Sequence, residues 1–369
     1  MTVRARLTAP AAGDPWLRIA GMTVLLRQLL SLQDAGVDEV EIEGVPAERL
    51  PRDPRLHLTP YPLSATAERG TGGEVTARLG LVWHRLFPRR LVQTGYHGDL
   101  EAAPLEPNEF IIPADSEANC RRATDLLLTS LLKATDGLIA RSINRPLSLR
   151  LTRALLDTSL TPNQMTLIAA VFGLAGIAVV AVGGARWLVP GALLLQVQSI
   201  LDGCDGEISR LKYIRSRLGE WLDQVLDDVV NVGFFAAAGW ALHRAGSPIA
   251  LPLTVVGTAL HLIYQAALYA GLLTRGGGSG SVTSIRWWGQ RDSARPAPAA
   301  PPGALTSFKE TVESAGRRDF FTFLYLPAAL LNLTEIALAW SAIIFVVSGV
   351  ATGLQWALRG GPEPATRTS

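Results

Sequence analysis

The chain has 369 residues, 48% of them hydrophobic, with a mean hydropathy of +0.24 and a formal net charge of only +2. A balance so close to neutral offers no polyelectrolyte surface, which argues against nucleic acid as a partner and for a membrane protein. Two cysteines, Cys120 and Cys204, sit in very different sequence surroundings and indicate no disulfide framework.

The first thirty residues lack a basic start followed by an apolar core, so no signal peptide is expected and delivery to the membrane falls to internal spans. Residues 1–122 read as a small soluble α/β domain. Met22 to Asp34 has helical periodicity, Gly36 to Gly44 holds an alternating strand, and Glu109 to Pro113 is a short apolar strand. Residues 123–160 form a junction. Within it, Asp136 to Asp157 interleaves Arg141, Arg145, Arg150 and Arg153 with Leu and Ile, which suits an amphipathic helix on a membrane surface.

Residues 161–360 read as an all-α polytopic membrane domain, followed by a tail at 361–369. Its six expected transmembrane helices are Thr161 to Ala185, Trp187 to Ile200, Leu218 to Leu242, Ile249 to Leu273, Phe320 to Leu333 and Ile336 to Leu358. His261, inside the fourth, reads as a packed histidine. Lys212, Arg215 and Arg217, then Arg275, Arg286, Arg291, Arg295, Arg317 and Arg318, then Arg359 and Arg367 load one set of connections with positive charge. The opposite loops carry little beyond Arg186 and Arg244. By the positive-inside rule both termini face the cytoplasm, in a cell inner membrane. Gly276 to Gly280 and the Pro/Ala-rich run Ala294 to Ala304 read as a flexible excursion, with Trp287 and Trp288 suited to the interface and Lys309 to Arg318 to a short polar helix.

The chemistry concentrates where the second span ends and the third begins, in D-x2-D-G-x2-S-R-x8-G-x3-D-x3-D from Asp202 to Asp227. A carboxylate within hydrocarbon costs about 2.5–3.5 kcal/mol, so four of them imply something positive to hold. Asp202 and Asp205 are three apart and Asp223 and Asp227 four apart, so each pair shares a helix face and the two faces can make one pocket. Oxygen ligands without His or thiolate select a hard cation, Mg2+ or Mn2+, and disfavour zinc. Gly206 and Gly219 permit close approach to the backbone, and Arg210 offers a planar fork for phosphate oxygens. Single aspartates at helix ends serve as caps or as partners of Lys212, Arg215 and Arg217. The full set, in register with both glycines and the arginine, does not reduce to that. Asp228 and Glu220 lie off the register and read as solvated or structural, and Cys204 as a small filler.

This run resembles the signature of the CDP-alcohol phosphotransferases, with Ser209 where that family usually carries Ala. Thr161-Pro162-Asn163-Gln164-Met165-Thr166 is similar to the family's P-N-x-x-T start of the first membrane helix, and the likeness covers roughly residues 130 to 358. The resemblance implies metal ligation by Asp202, Asp205, Asp223 and Asp227. It implies CDP binding by Asp202, Gly206, Ser209, Arg210 and Gly219, with Asp227 as the general base that draws the acceptor proton while CMP leaves. Asn163, Thr166, Arg317 and Arg318 are candidates for the substrate pocket. A CDP-alcohol donor, an alcohol acceptor, the lipid bilayer and a homodimer are the implied partners.

The junction runs Lys133-Ala134-Thr135-Asp136-Gly137 and Ile143-Asn144-Arg145-Pro146 resemble a subgroup fused to an N-terminal cytidylyltransferase-like domain, whose known members make di-myo-inositol phosphate compounds. Gly21 to Ile42 is similar to the helix and strand after the nucleotide loop of sugar nucleotidyltransferases. The loop itself departs from their pattern: Ala11-Ala12-Gly13 runs through Asp14-Pro15-Trp16 without the second glycine and the lysine. The domain therefore reads as a degenerate, nucleotidyltransferase-like relative kept for packing, dimerisation or substrate delivery. Alternatives are a phospholipid synthase using CDP-diacylglycerol and a polar acceptor, a transporter with intramembrane carboxylates, and a noncatalytic membrane scaffold.

Overall fold

The computed structural model describes residues 3–9, 12–62, 74–132, 136–286 and 317–364. Trp287, Trp288, the Ala294 to Ala304 run and residues 309–316 lie outside them.

The N-terminal region is α/β. Strands β1 (Arg4–Thr8), β2 (Glu39–Ile42), β3 (Thr59–Pro62), β4 (Glu74–Arg78) and β5 (Gly98–Asp99) form a parallel sheet in the order β3-β2-β1-β4-β5. Alternation sorts its faces. Ala5, Leu7, Val40, Ile42, Val75 and Ala77 are buried against Leu25, Leu29 and Leu32 of helix α1 (Val24–Asp34), whose first turn is capped by Thr23. On the other face Arg6 pairs with Glu41 at 2.7 Å and Arg4 with Glu39 at 3.0 Å. The expected strand at Glu109 to Pro113 is Ile111–Pro113, antiparallel to Leu81–Trp83.

Helices α2 (Phe87–Gln93) and α3 (Glu117–Thr129) complete this unit. A second apolar cluster ties it to the rest of the chain: Ile19, Val24, Val82, Cys120, Ala123 and Leu127 pack with Leu156 and Leu211.

The helical region comprises α4 (Arg145–Leu155), α5 (Pro162–Gly183), α6 (Leu188–Lys212), α7 (Arg217–Arg244), α8 (Ala250–Thr274), α9 (Arg318–Leu330) and α10 (Thr334–Arg359). Among the described residues five helices, α5, α6 with its preceding turn, α7, α8 and α10, are long and apolar enough to cross a bilayer. The sixth expected span, Phe320 to Leu333, is occupied by α9, which has 13 residues. At 1.5 Å per residue that is about 20 Å, short of the roughly 30 Å hydrocarbon core.

Local chemistry fixes where these helices begin. Thr161 and Gln164 cap each other's backbone and Pro162 occupies the first turn, so the T-P-N-Q segment starts α5. α6 ends at Tyr213 in the left-handed conformation, φ 52°, and Ser216 caps α7 by accepting from Gly219 N at 2.9 Å. The two carboxylate-bearing helices are thus separated by a turn of four residues, 213–216.

The junction helix is preceded by a π-turn at Ala140–Asn144 and packs on α6 through polar groups. Glu207, fully buried, accepts from Arg145 Nη1 at 2.9 Å and from the hydroxyls of Ser148 and Thr152, each at 2.6 Å. Burial lowers the pKa of Arg145, but Asp136 and Glu207 outweigh that and raise it.

The glycine-rich segment is not the free excursion expected. Trp221 Nε1 donates to Gly278 O at 3.1 Å, and Ser279 Oγ to Glu220 at 2.6 Å. Ile285 buries with Leu268 and Leu272 beside Trp221 and Tyr269, and that apolar contact draws the segment onto α7.

Arg145→Ala leaves Glu207 buried without a counter-charge. It should destabilise the protein by about 3 kcal/mol, seen as a lower melting temperature in detergent, whereas replacing Arg145 and Glu207 together by Leu should cost less. A variant that melts with the parent would remove this pair from the account of α6.

Candidate active site

Asp202 and Asp205 project from α6, and Asp223 and Asp227 from α7, on either side of the 213–216 turn. Carboxylate oxygens of Asp202, Asp223 and Asp227 all lie within 4.8 Å of one another, with each residue partly buried. The structure does not bring Asp205 into that trio. Three residues along a helix fall about 60° short of a full turn, and Asp205 Oδ2 accepts from the Thr166 hydroxyl of α5 instead. Asp223 joins the two arrangements, since its carboxyl interacts with both Asp202 and Asp205.

Beside the trio lies a cavity of about 370 Å3, walled by Asn163 and Thr166 of α5, Asp205, Gly206, Ser209 and Arg210 of α6, and Gly219 and Asp223 of α7. All the residues expected to bind CDP except Asp202 line it, and Asn163 and Thr166 line it too. Arg210 Nε is buried without a hydrogen-bond partner, so the cavity contains an unsatisfied cationic donor. Ser209 Oγ donates to Ile214 O at 2.6 Å, so this hydroxyl is spent on the turn. Gly219 has a geometric reason: a Cβ there would fall 2.5 Å from Asn163 Oδ1.

Arg318, first residue of α9, bridges the trio. Its Nη2 donates to Asp202 Oδ2 at 2.6 Å and its Nη1 pairs with Asp227 Oδ2. Arg317 packs beside Gly137. Gln198, one turn before Asp202, donates to Asp227 Oδ1 at 3.2 Å.

Sequence reasoning missed several of these groups. Gln198 and Glu207 are polar residues in an apolar helix, so the cost argument applied to the aspartates would have flagged both. Glu220, read as off-register, lines the cavity with Arg215, Ser216 and Ser281. Asp228 accepts from Tyr269 Oη at 2.7 Å and is structural, while His261 stacks on Phe345 at 3.9 Å.

Membrane-length helices that converge on an acidic cluster and an arginine-containing cavity are the arrangement of an integral membrane protein with a charged, partly buried site. The profile of the CDP-alcohol phosphatidyltransferase family matches residues 159–348, just over half of the chain, and the chain belongs to that family. Members are transferases of substituted phosphate groups that bind CDP-alcohol donors and acceptors in a membrane and are generally dependent on a divalent metal.

Proteins named bifunctional IPC transferase and DIPP synthase are similar. The one from Aquifex aeolicus is 28% identical over 67% of this chain and 49% of its own length, and that from Rubrobacter xylanophilus is 30% identical over 65% and 54%. The Archaeoglobus fulgidus protein is 38% identical over 35% of this chain and 25% of its own. The chain therefore spans about half, or less, of the curated relatives it matches. A solved structure, Mycobacterium tuberculosis phosphatidylinositol phosphate synthase with CDP-DAG bound, aligns at 18% identity and a TM-score of 0.38, covering 58% of this chain and 96% of that one.

Gly219→Ala should push Asn163 out of the cavity wall and crowd the Ser216 cap of α7, weakening CDP binding about tenfold with a small fall in melting temperature. Unchanged affinity, measured by calorimetry, would show that Asn163 does not touch the nucleotide.

Proposed function

We propose that the protein is an integral membrane CDP-alcohol phosphotransferase that moves a phosphoalcohol from a CDP-alcohol to an acceptor hydroxyl of inositol-phosphate type, with release of CMP. The observation that carries this reading is the Asp202–Asp223–Asp227 trio beside a cavity whose arginine has an unsatisfied, buried Nε. The donor set fits Mg2+ or Mn2+: three carboxylates converge with no nitrogen or sulfur ligand among them. The cation, when bound, neutralises the donor diphosphate and polarises its phosphorus–oxygen bond.

Asp202, Asp223 and Asp227 would hold the cation, with Asp205 beside Asp223. Arg210 orients the diphosphate with its free donor, and Asn163, Gly206, Ser209 and Gly219 shape the nucleotide cavity. Asp227 takes the proton of the acceptor hydroxyl as that oxygen bonds to the distal phosphorus and the bond to CMP breaks. Arg318 occupies the Asp227 carboxylate, so Arg318 must leave Asp227 for turnover. A guanidinium released beside the donor is placed to take an acceptor phosphate.

Residues 161–360 are the catalytic membrane domain, with α9 as a sixth, short span, and 123–160 the junction that braces it. The α/β domain, residues 1–122, is a non-catalytic relative of cytidylyltransferases. A phosphate cradle needs free amides, and here Ala12 N donates to Leu79 O and Asp14 N to Ala114 O, at 2.7 and 2.8 Å. Lys212, Arg215 and Arg217, in and beside the turn at the carboxylate end, support a cytoplasmic site in a cell inner membrane. Assembly as a homodimer completes the proposal.

The deciding experiment measures CMP release by the purified protein with Mg2+, offering CDP-inositol plus inositol phosphate against CDP-diacylglycerol plus inositol phosphate or glycerol phosphate. Release in the first mixture is expected, and silence there with release from the lipid donor would overturn the soluble-donor reading. Asp227→Asn should abolish turnover while leaving CDP affinity within about twofold. Asp202→Asn should weaken Mn2+ binding, followed by electron paramagnetic resonance, by about tenfold or more. Arg318→Ala should lower the Mg2+ concentration needed for half-maximal rate, since a competing cation is gone, yet raise the acceptor KM. A change in neither parameter removes Arg318 from the site.

A further inference from the structure

The strongest feature outside that site is a cavity of about 470 Å3 between the α/β unit and the turn joining α6 to α7. Asp34, Arg55, His57, Tyr213, Ile214 and Arg215 are among its walls. It opens at the C-terminal end of α1, whereas the degenerate nucleotide loop precedes the other end of that helix, about 16 Å away along it.

The cavity is rigidly built. Gln33 Oε1 accepts from His57 N at 2.6 Å and Leu58 N at 3.1 Å, and Gln33 Nε2 donates to Arg55 O at 2.9 Å, which pins the chain at 55–58. Asp53 grips the Arg55 guanidinium through two bonds, at 2.6 and 2.5 Å, and Arg55 Nη1 donates to Lys212 O at 2.6 Å. Arg215 pairs with Asp34 Oδ1 at 3.3 Å, while Asp34 Oδ2 is buried with no hydrogen-bond partner. Arg27 and Arg85 lie within electrostatic reach of Tyr213. Arg55 and Arg215 line this space, each facing one aspartate, and Arg27 and Arg85 stand behind it and add positive charge, next to one acceptor oxygen that lacks a donor.

We infer that this junction cavity is a second ligand site, for a small soluble phosphomonoester that carries hydroxyl groups. Its phosphate takes the Arg55, His57 and Arg215 side, and one hydroxyl donates to Asp34 Oδ2. The volume sits in the lower part of the range for small-molecule sites. Ile214 and Arg215 also wall the catalytic cavity, so the ligand touches the turn that separates the two carboxylate helices. The inference does not rest on the reaction proposed above, because none of the aspartates of the trio contributes to it.

The test is calorimetry on the full chain in detergent with EDTA present, using myo-inositol 1-phosphate, glycerol 3-phosphate and inorganic phosphate as separate probes. A polyol phosphate should bind more tightly than inorganic phosphate, and its affinity should survive Asp202→Asn and Arg318→Ala. His57→Ala, at an exposed position, and the isosteric Asp34→Asn should each weaken it about tenfold, with melting temperatures unchanged. Binding lost in Arg318→Ala but indifferent to His57→Ala and Asp34→Asn would assign the ligand to the catalytic cavity and overturn the inference. Equal affinity for inorganic phosphate, or no binding at millimolar ligand, would overturn it as well.

Discussion

The controlling constraint is the cost of holding carboxylates in helices built to lie in hydrocarbon. Seven acidic groups sit within two adjacent membrane-length helices, and among them Glu207 and the trio Asp202, Asp223 and Asp227 are treated in opposite ways. Glu207 is satisfied: one guanidinium and two hydroxyls close around it, and nothing is left to attract a ligand. The trio is under-satisfied, because among the described residues one guanidinium, Arg318, and the Gln198 amide face three carboxylates within 4.8 Å of one another. That residual negative charge distinguishes a site from a brace, and no inspection of the acids one by one would separate the two.

The brace and the site depend on the same stretch of chain. Glu207 lies on the face of α6 away from Asp202, so its bonds to Arg145, Ser148 and Thr152 set the rotation of the helix and thereby aim Asp202 and Asp205 at α5 and α7. Asn144, just before the brace, bonds Ser199 at 3.1 Å and Gln196 at 2.7 Å on the same helix. The junction also places the opposing charge: Ala140 N donates to Asp319 Oδ2 at 2.9 Å, which fixes the start of α9 and so delivers Arg318 to the trio. Gly137 belongs to this arrangement, since a Cβ there would meet Asp319 Oδ2 at 2.6 Å.

What could be read in advance follows the range of the interaction. The faces of α6 and α7 were legible because periodicity alone puts Asp202 near Asp205 and Gly219, Asp223 and Asp227 on one stripe. The start of α5 was legible because a capping box is written in four consecutive residues. The turning of Asp205 toward Thr166 was not, since it depends on how far α5 approaches α6. Nor was the place of Arg318, 116 residues from Asp202, or the docking of Gly278 and Ser279 on α7. A run of glycines specifies only that the backbone is free to bend, and the apolar contact of Ile285 decides where it goes. The length of α9 was not legible either: Phe320 to Leu333 is apolar enough for a span, but a proline at 327 and the left-handed Asn332, φ 57°, limit the helix it forms.

The α/β unit has a physical role that is visible where it meets the helices. It seals its own loop amides against Leu79 and Ala114, yet it presents Arg55 to the last carbonyl of α6 and Asp34 to Arg215 in the following turn. Gly21, at φ 83°, lies so close to Leu156 that a Cβ would reach its carbonyl oxygen at 2.2 Å, and Lys212 Nζ donates to Thr158 O at 2.7 Å on the same surface. Four residues separate the carboxylate helices, and the soluble unit grips that turn and the residue before it. The turn between the carboxylate helices is therefore held from two sides, by its own caps and by the α/β unit, whose Arg55 takes the last carbonyl of α6 and whose Asp34 faces Arg215.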